Sequence, residues 1–177
     1  MTQIAITVKQ PFGYLICAGI KDVENRSWKL PEKYKGQRVL IHAGKRHFDV
    51  KLEIEGQATA KEIQMLSVLS YAEENDLFGC IIGSVEIVDC VENHPSEWAI
   101  KGQYHWVLAN PILFDKPIEN VKGKLGFWKY EVDLCPNCLQ PAKCSNQYCS
   151  NCVDELQREE QDRRLQSKYS RNVRKLW

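Results

Sequence analysis

No segment of this 177-residue chain is apolar for long enough to cross a bilayer, a task that takes about 20 consecutive residues. The opening residues, Met1 to Val8, hold no basic stretch leading into a long apolar run and a cleavage site, so no secretory signal is expected. An internal repeat and a low-complexity linker are also missing. So is a net charge: 24 Lys and Arg stand against 23 Asp and Glu, for +1 overall. That total by itself marks neither a nucleic-acid binder nor an acidic protein. These absences leave a globular cytoplasmic protein as the expected class, with an ordinary apolar content of 44%. The length suits one good-sized domain and an appendage.

The neutral total hides a segregated pattern. Residues 1–46 carry nine Lys/Arg and three Asp/Glu, whereas residues 47–98 carry two basic and eleven acidic side chains. Residues 99–130 return to five basic against two acidic, and the fifteen residues after Asp162 hold six basic and no acidic ones. Segregation of this kind creates a positive surface on a neutral molecule.

Of the eight cysteines, Cys17, Cys80 and Cys90 sit inside apolar runs and read as small core residues. The others crowd toward the C-terminus as Cys135-Pro136-Asn137-Cys138 and Cys149-Ser150-Asn151-Cys152, with Cys144 between the pairs. Two residues between cysteines let both sulfurs face one side of a tight turn, and two such turns complete a tetrahedron around zinc. The expected ligands are Cys135, Cys138, Cys149 and Cys152, with Cys144 as the alternative if the second turn closes differently. Two disulfides are the competing account. A four-cysteine site is closed and therefore structural, a staple for a segment too short to build its own core.

Local patterning predicts mostly short strands. These are Ile4–Val8, Arg38–His42, Cys80–Val88, Tyr104–Leu108 and Phe127–Tyr130, with Val23–Trp28 extended. A short helix runs from Pro11 through Ile16 and stops at Gly19. The acidic stretch 49–76 has helical spacing with a break at Gly56, and it is a candidate protein-interaction surface. Helix-forming composition resumes from Val153 to Leu165.

Several polar residues fall at strand ends in apolar company: Lys9, Lys21, Glu24, Arg26, His42, Lys45, Ser84, Glu86 and His105. They lie in five of six motifs that occur in order. These are Thr7–Pro11 (Thr-Val-Lys-Gln-Pro), Gly19–Arg26 (Gly-x-Lys-x-x-Glu-x-Arg), His42–Lys45 (His-Ala-Gly-Lys), Gly83–Asp89, Tyr104–Leu108 and Gly123–Trp128. In this series the chain resembles the ASCH domain, the activating-signal-cointegrator homology domain, over residues 3–130.

The resemblance implies an α+β fold: a PUA-like mixed β-barrel with flanking helices and a cleft beside the first helix. The whole chain then divides into that domain (1–130), a zinc knuckle (131–153) and a charged helical or partly disordered tail (154–177). By kinship with PUA, YTH and EVE domains, the implied partner is RNA or another single-stranded nucleic acid held in the cleft. The residue chemistry agrees. Lys9, Lys21, Arg26 and Lys45 suit phosphates, Glu24 or Ser84 a base edge, and Trp28, His105 or Trp106 a stacking face. Trp106 and Trp128 are also natural core residues, and Glu24 with Arg26 a natural structural ion pair.

An enzymatic alternative comes from the same family, some of whose members resemble N4-acylcytidine amidohydrolases with a Lys-x-x-Thr motif. Lys21 matches, but Glu24 stands at the threonine position, which removes the nucleophile. A Lys21–Glu24 pair is also expected to keep the lysine charged. A ribonuclease using Lys21, Glu24, His42 and His105 is the other enzymatic form of this alternative.

Overall fold

The computed structural model describes residues 1–47, 59–136, 138–142, 152–153, 157–158, 160–161 and 163. The chain divides into two compact units, Thr2–Glu131 and a second made of Met1 with Val132–Trp177.

In the larger unit the elements follow as β1 (Thr2–Gln10), α1 (Phe12–Cys17), β2 (Val23–Arg26), a 3-10 turn (Glu32–Tyr34), β3 (Gln37–His47), α2 (Ala60–Glu74), β4 (Cys80–Val91), β5 (Tyr104–Ile118) and β6 (Phe127–Glu131). They form one six-stranded mixed sheet in the order β2-β5-β4-β3-β1-β6. Only β1 and β3 run parallel, with Thr7 opposite His42 and Val8 opposite Ala43. This register sets Lys9 beside the His42–Lys45 segment.

The expected closed barrel does not form. β2 pairs with β5 and β6 with β1, and at four and five residues these edge strands leave the sheet open. Aromatic side chains fill the gap instead. Trp106 of β5 stacks on Phe127 of β6 with centroids 5.2 Å apart, and Trp28 meets both rings edge-on at 4.7 and 5.9 Å. Offset and edge-to-face pairs of this kind stabilise beyond the area they bury. Trp106 is fully buried and Trp128 nearly so, which makes both core residues.

β5 continues through Asn110-Pro111, where the sequence predicts an end. Glu86 pairs with Ala109 and Ser84 with Ile112, so Asn110 and Pro111 together oppose one β4 residue, Val85. This is a β-bulge, which absorbs a residue that cannot donate to the ladder. A polar network pins it. Arg38 donates to Ser84 Oγ (3.0 Å), Glu86 Oε1 (2.9 Å) and the Asn110 carbonyl (2.9 Å), and Asn110 Nδ2 donates to Glu86 Oε2 (2.8 Å). The Asn110 and Arg38 bonds hold the Glu86 carboxyl below its ordinary pKa.

Helix α1 packs on the sheet, burying Leu15, Ile16 and Cys17. Its first turn is capped from outside: Gln10 Oε1 accepts the Tyr14 N–H (3.0 Å) while Gln10 Nε2 donates to the Leu77 carbonyl (2.9 Å). Gly19, at φ +76°, ends the turn as its lack of Cβ allows. Helix α2 opens on a capping box between Thr59 and Glu62 and buries Met65, Leu69 and Ala72. It covers the described part of the 49–76 segment; residues 48–58, with the expected break at Gly56, lie outside the described residues. Among the described residues no helix is long and apolar enough to cross a membrane.

At Gly83 of β4 both α1 and the neighbouring β5 come close to the backbone. A Cβ there would lie 2.7 Å from Cys17 Sγ and closer still to the Ile112 carbonyl oxygen. Backbone cannot yield as a side chain does, so Gly83→Ala is expected to destabilise by about 3 kcal/mol. Urea denaturation checks this; a loss of only a few tenths would mean that β5 and α1 both give way without cost.

Candidate functional site

A cleft of about 960 Å³ opens on the larger unit, at the upper end of the range for ligand sites. β1 contributes Thr7, Val8 and Lys9, β2 contributes Glu24 and Arg26, and β3 contributes His42, Gly44 and Lys45. The segment 119–126, between β5 and β6, forms another wall. Phe12 and Phe78, both half-buried, supply apolar faces.

The wall segment is tied down at three points. Thr7 Oγ1 donates to the Lys124 carbonyl (2.9 Å), the Val121 N–H donates to the Gly79 carbonyl (2.9 Å), and His42 Nε2 bonds the Val121 carbonyl (2.9 Å). Contact with that carbonyl makes Nε2 the protonated nitrogen of a neutral ring. Burial lowers the His42 pKa, against a smaller opposing effect of the Val121 bond. Gly123 lies directly on this ring: a Cβ there would sit 2.5 Å from His42 Cε1 and 2.7 Å from Nδ1.

Glu24 lies at the floor of the cleft, mostly buried, between two cations. Arg26 Nη2 is 3.0 Å from Oε1 and Lys21 Nζ 3.4 Å from Oε2. Arg26 also donates to the Thr7 carbonyl (3.1 Å) and sits 5.5 Å over the Trp106 ring. Lys21 is 3% exposed, donates to the Val23 carbonyl and faces the Phe12 ring. Its pKa is lowered, because burial outweighs the opposing pull of Glu24. Burial thus works against the expected effect of Glu24, which is to keep this lysine charged.

Of the residues singled out from the sequence, Lys9, Glu24, Arg26, His42 and Lys45 line the cleft together. Lys21 does not line it but holds Glu24 from behind. Ser84 and His105 are elsewhere. Ser84 is fully buried in the network that pins the β-bulge. His105 spends both ring nitrogens on backbone: Nδ1 accepts from the His94 N–H (3.1 Å) and Nε2 bonds the Ile100 carbonyl (2.9 Å). Of the suggested stacking faces, Trp106 and His105 are buried and Trp28 is exposed, and none lines the cleft. Sequence reading passed over Lys122, Lys124 and the almost fully exposed Leu125. The signal was present in the Gly123–Trp128 motif, whose glycines bracket Lys124 and Leu125.

A family comparison fits this arrangement: the ASCH domain model matches residues 6–118. The chain belongs to the ASCH domain family. No curated protein matches the chain. The ASCH match covers β1 through β5, and so includes Lys9, Glu24, Arg26, His42 and Lys45, while the 119–126 wall lies beyond it.

The second unit carries a different arrangement. Cys135, Cys138 and Cys152 place their sulfurs within 4.8 Å of one another, with Cys135 and Cys152 buried. Tetrahedral zinc, with bonds of about 2.3 Å, sets its sulfurs about 3.8 Å apart, so these three thiols could hold a metal ion. The turn that presents Cys135 and Cys138 is closed by the Leu139 N–H to the Cys135 carbonyl (2.9 Å) and the Cys135 N–H to the Gln140 carbonyl (2.8 Å). Leu134 bridges Pro141, and the Met1 ammonium pairs with Asp133. Cys144 and Cys149, the remaining candidates for a fourth ligand, lie outside the described residues. So does most of the basic segment after Asp162.

Proposed function

We propose that this ASCH domain binds single-stranded nucleic acid, RNA in the first place, in the cleft between β1–β3 and the 119–126 segment. The observation that carries the reading is the lining. Lys9, Arg26, Lys45, Lys122 and Lys124 converge on one cleft of a chain with a formal charge of only +1. Against them stand Glu24, already paired with Arg26, and Asp76 and Glu119. A cationic groove with aromatic walls suits a phosphate backbone and unpaired bases. Membership in the ASCH family points the same way, since its PUA-like relatives accept bases or single strands.

The hydrolase alternative has less support. Its proposed base, Lys21, is turned into the protein and engaged by Val23 and Glu24. Of the ribonuclease set, only Glu24 and His42 reach the cleft.

Fluorescence anisotropy with an unstructured uridine RNA tests the reading. Binding is expected to weaken with salt, and Lys9→Ala, Lys45→Ala and Lys124→Ala each to lower the log–log slope by about 0.7. An unchanged slope in all three variants would place the phosphate contacts elsewhere.

For the second unit we propose a structural zinc ion held by Cys135, Cys138 and Cys152, with Cys149 as fourth ligand and Cys144 as its substitute. The clustering of three thiolates from two separated segments supports this. The soft sulfur donors favour zinc over harder cations.

A further inference from the structure

We infer that the cleft reads a guanine base through Glu24, an inference that rests on the nucleic-acid reading of the same cleft. A carboxylate is an acceptor only, with about four lone-pair positions on its two oxygens. Among the described residues Arg26 takes one of these on Oε1 and Lys21 one on Oε2, which leaves one acceptor position on each oxygen. The residue lines the cleft while its side chain is only 10% exposed, so a ligand entering there meets a fixed pair of adjacent acceptors.

The chemistry then selects the base. Guanine is the one standard base whose Watson–Crick edge carries two adjacent donors, the N1–H and the N2 amino group. Adenine and cytosine set a ring-nitrogen lone pair beside their amino group, which a carboxylate repels. Uracil offers a single N–H between two carbonyl oxygens. Unpaired RNA exposes these edges, and single strands are where proteins read them.

The surroundings favour the same geometry. Two cations fix the carboxylate, and Trp106 beneath Arg26 fixes one of them, so little ordering is left to accompany binding. Lys9 and Lys45 line the same cleft and suit both phosphate and the guanine O6 acceptor. His42 does not compete as a reader, because its remaining nitrogen lies against Gly123.

The test uses the full chain and a short uridine RNA carrying one central guanosine, inosine, adenosine or cytidine, measured by anisotropy. The guanosine strand is expected to bind about tenfold more tightly than the adenosine and cytidine strands, as for a bidentate base contact. Inosine keeps N1–H but lacks the amino group, so it should fall between them. This arm needs no protein variant and stands even if Glu24→Gln folds poorly. Where Glu24→Gln does fold, it should lose the preference for guanosine, because the amide sets one acceptor beside a donor in place of two acceptors. Equal affinity of the unaltered protein for all four strands would overturn the guanine assignment while leaving nucleic-acid binding intact. Failure to bind any of them at low salt would overturn both.

Discussion

Replacing Glu24 with glutamine is expected to destabilise the Thr2–Glu131 unit by about 3 kcal/mol at neutral pH, the usual scale for breaking a buried pair. The reason is Lys21. Its side chain is 2% exposed, and its charge is balanced by Glu24 at 3.4 Å. Without that partner the buried ammonium keeps the Val23 carbonyl, the Phe12 ring and the weaker attraction of Asp22. The loss should shrink as the pH rises. The folded lysine already titrates below its ordinary value through burial, and removing Glu24 lowers it further. Between that folded value and the unfolded value of about 10.4, the unfolded chain holds a proton that the folded chain has released. Stability therefore increases with pH across this window, and the window is wider in the variant. Urea denaturation of both proteins from neutral to alkaline pH checks the account. A deficit that stays constant with pH would show that Lys21 does not carry the cost.

Substituting Cys135 with serine should remove bound metal and with it the order of the second unit. Structural zinc supplies about 10–16 kcal/mol in small zinc domains, enough to decide whether so short a segment is ordered. The Cys135 and Leu139 amides, which bond to Gln140 and Cys135, are expected to exchange rapidly with deuterium in the variant and in chelator-treated protein. The amides of β4, in the other unit, should keep their protection. Elemental analysis should find about one zinc per chain before treatment and none in Cys135→Ser. A metal-free protein with those two amides still protected would refute the zinc assignment.

Much of this was legible because it rests on local chemistry. β-branched runs placed β1, β3 and β4, and Gly19 marked the end of α1. The two-residue spacing of Cys135 and Cys138 announced a shared centre, and the motif series pointed to the ASCH family. What was not legible depended on long-range packing. Nothing near Asn110-Pro111 says that a bulge will carry β5 onward; that follows from Arg38 and Glu86 arriving from two other strands. Ser84 and His105 looked like ligands because polar residues in apolar strands invite that reading. Their actual partners, Arg38 and the His94 and Ile100 backbone, are set by tertiary contacts. The open sheet follows from the shortness of β2 and β6 and from the Trp28–Trp106–Phe127 cluster, which fills the place where a further ladder would close a barrel. Lys122 and Lys124 escaped notice because a lysine in a loop is ordinarily just solvated. Only the bonds from Thr7 and His42 to that loop make it a cleft wall.

The central claim, that the cleft is the nucleic-acid site, is tested most directly by photo-crosslinking the full chain to a 4-thiouridine RNA and mapping the modified peptides by mass spectrometry. The account predicts adducts in the 119–126 segment and around Lys9 and Phe12, lost in competition with unlabelled RNA. Adducts confined to the basic residues after Asp162, with the cleft unmodified, would contradict it.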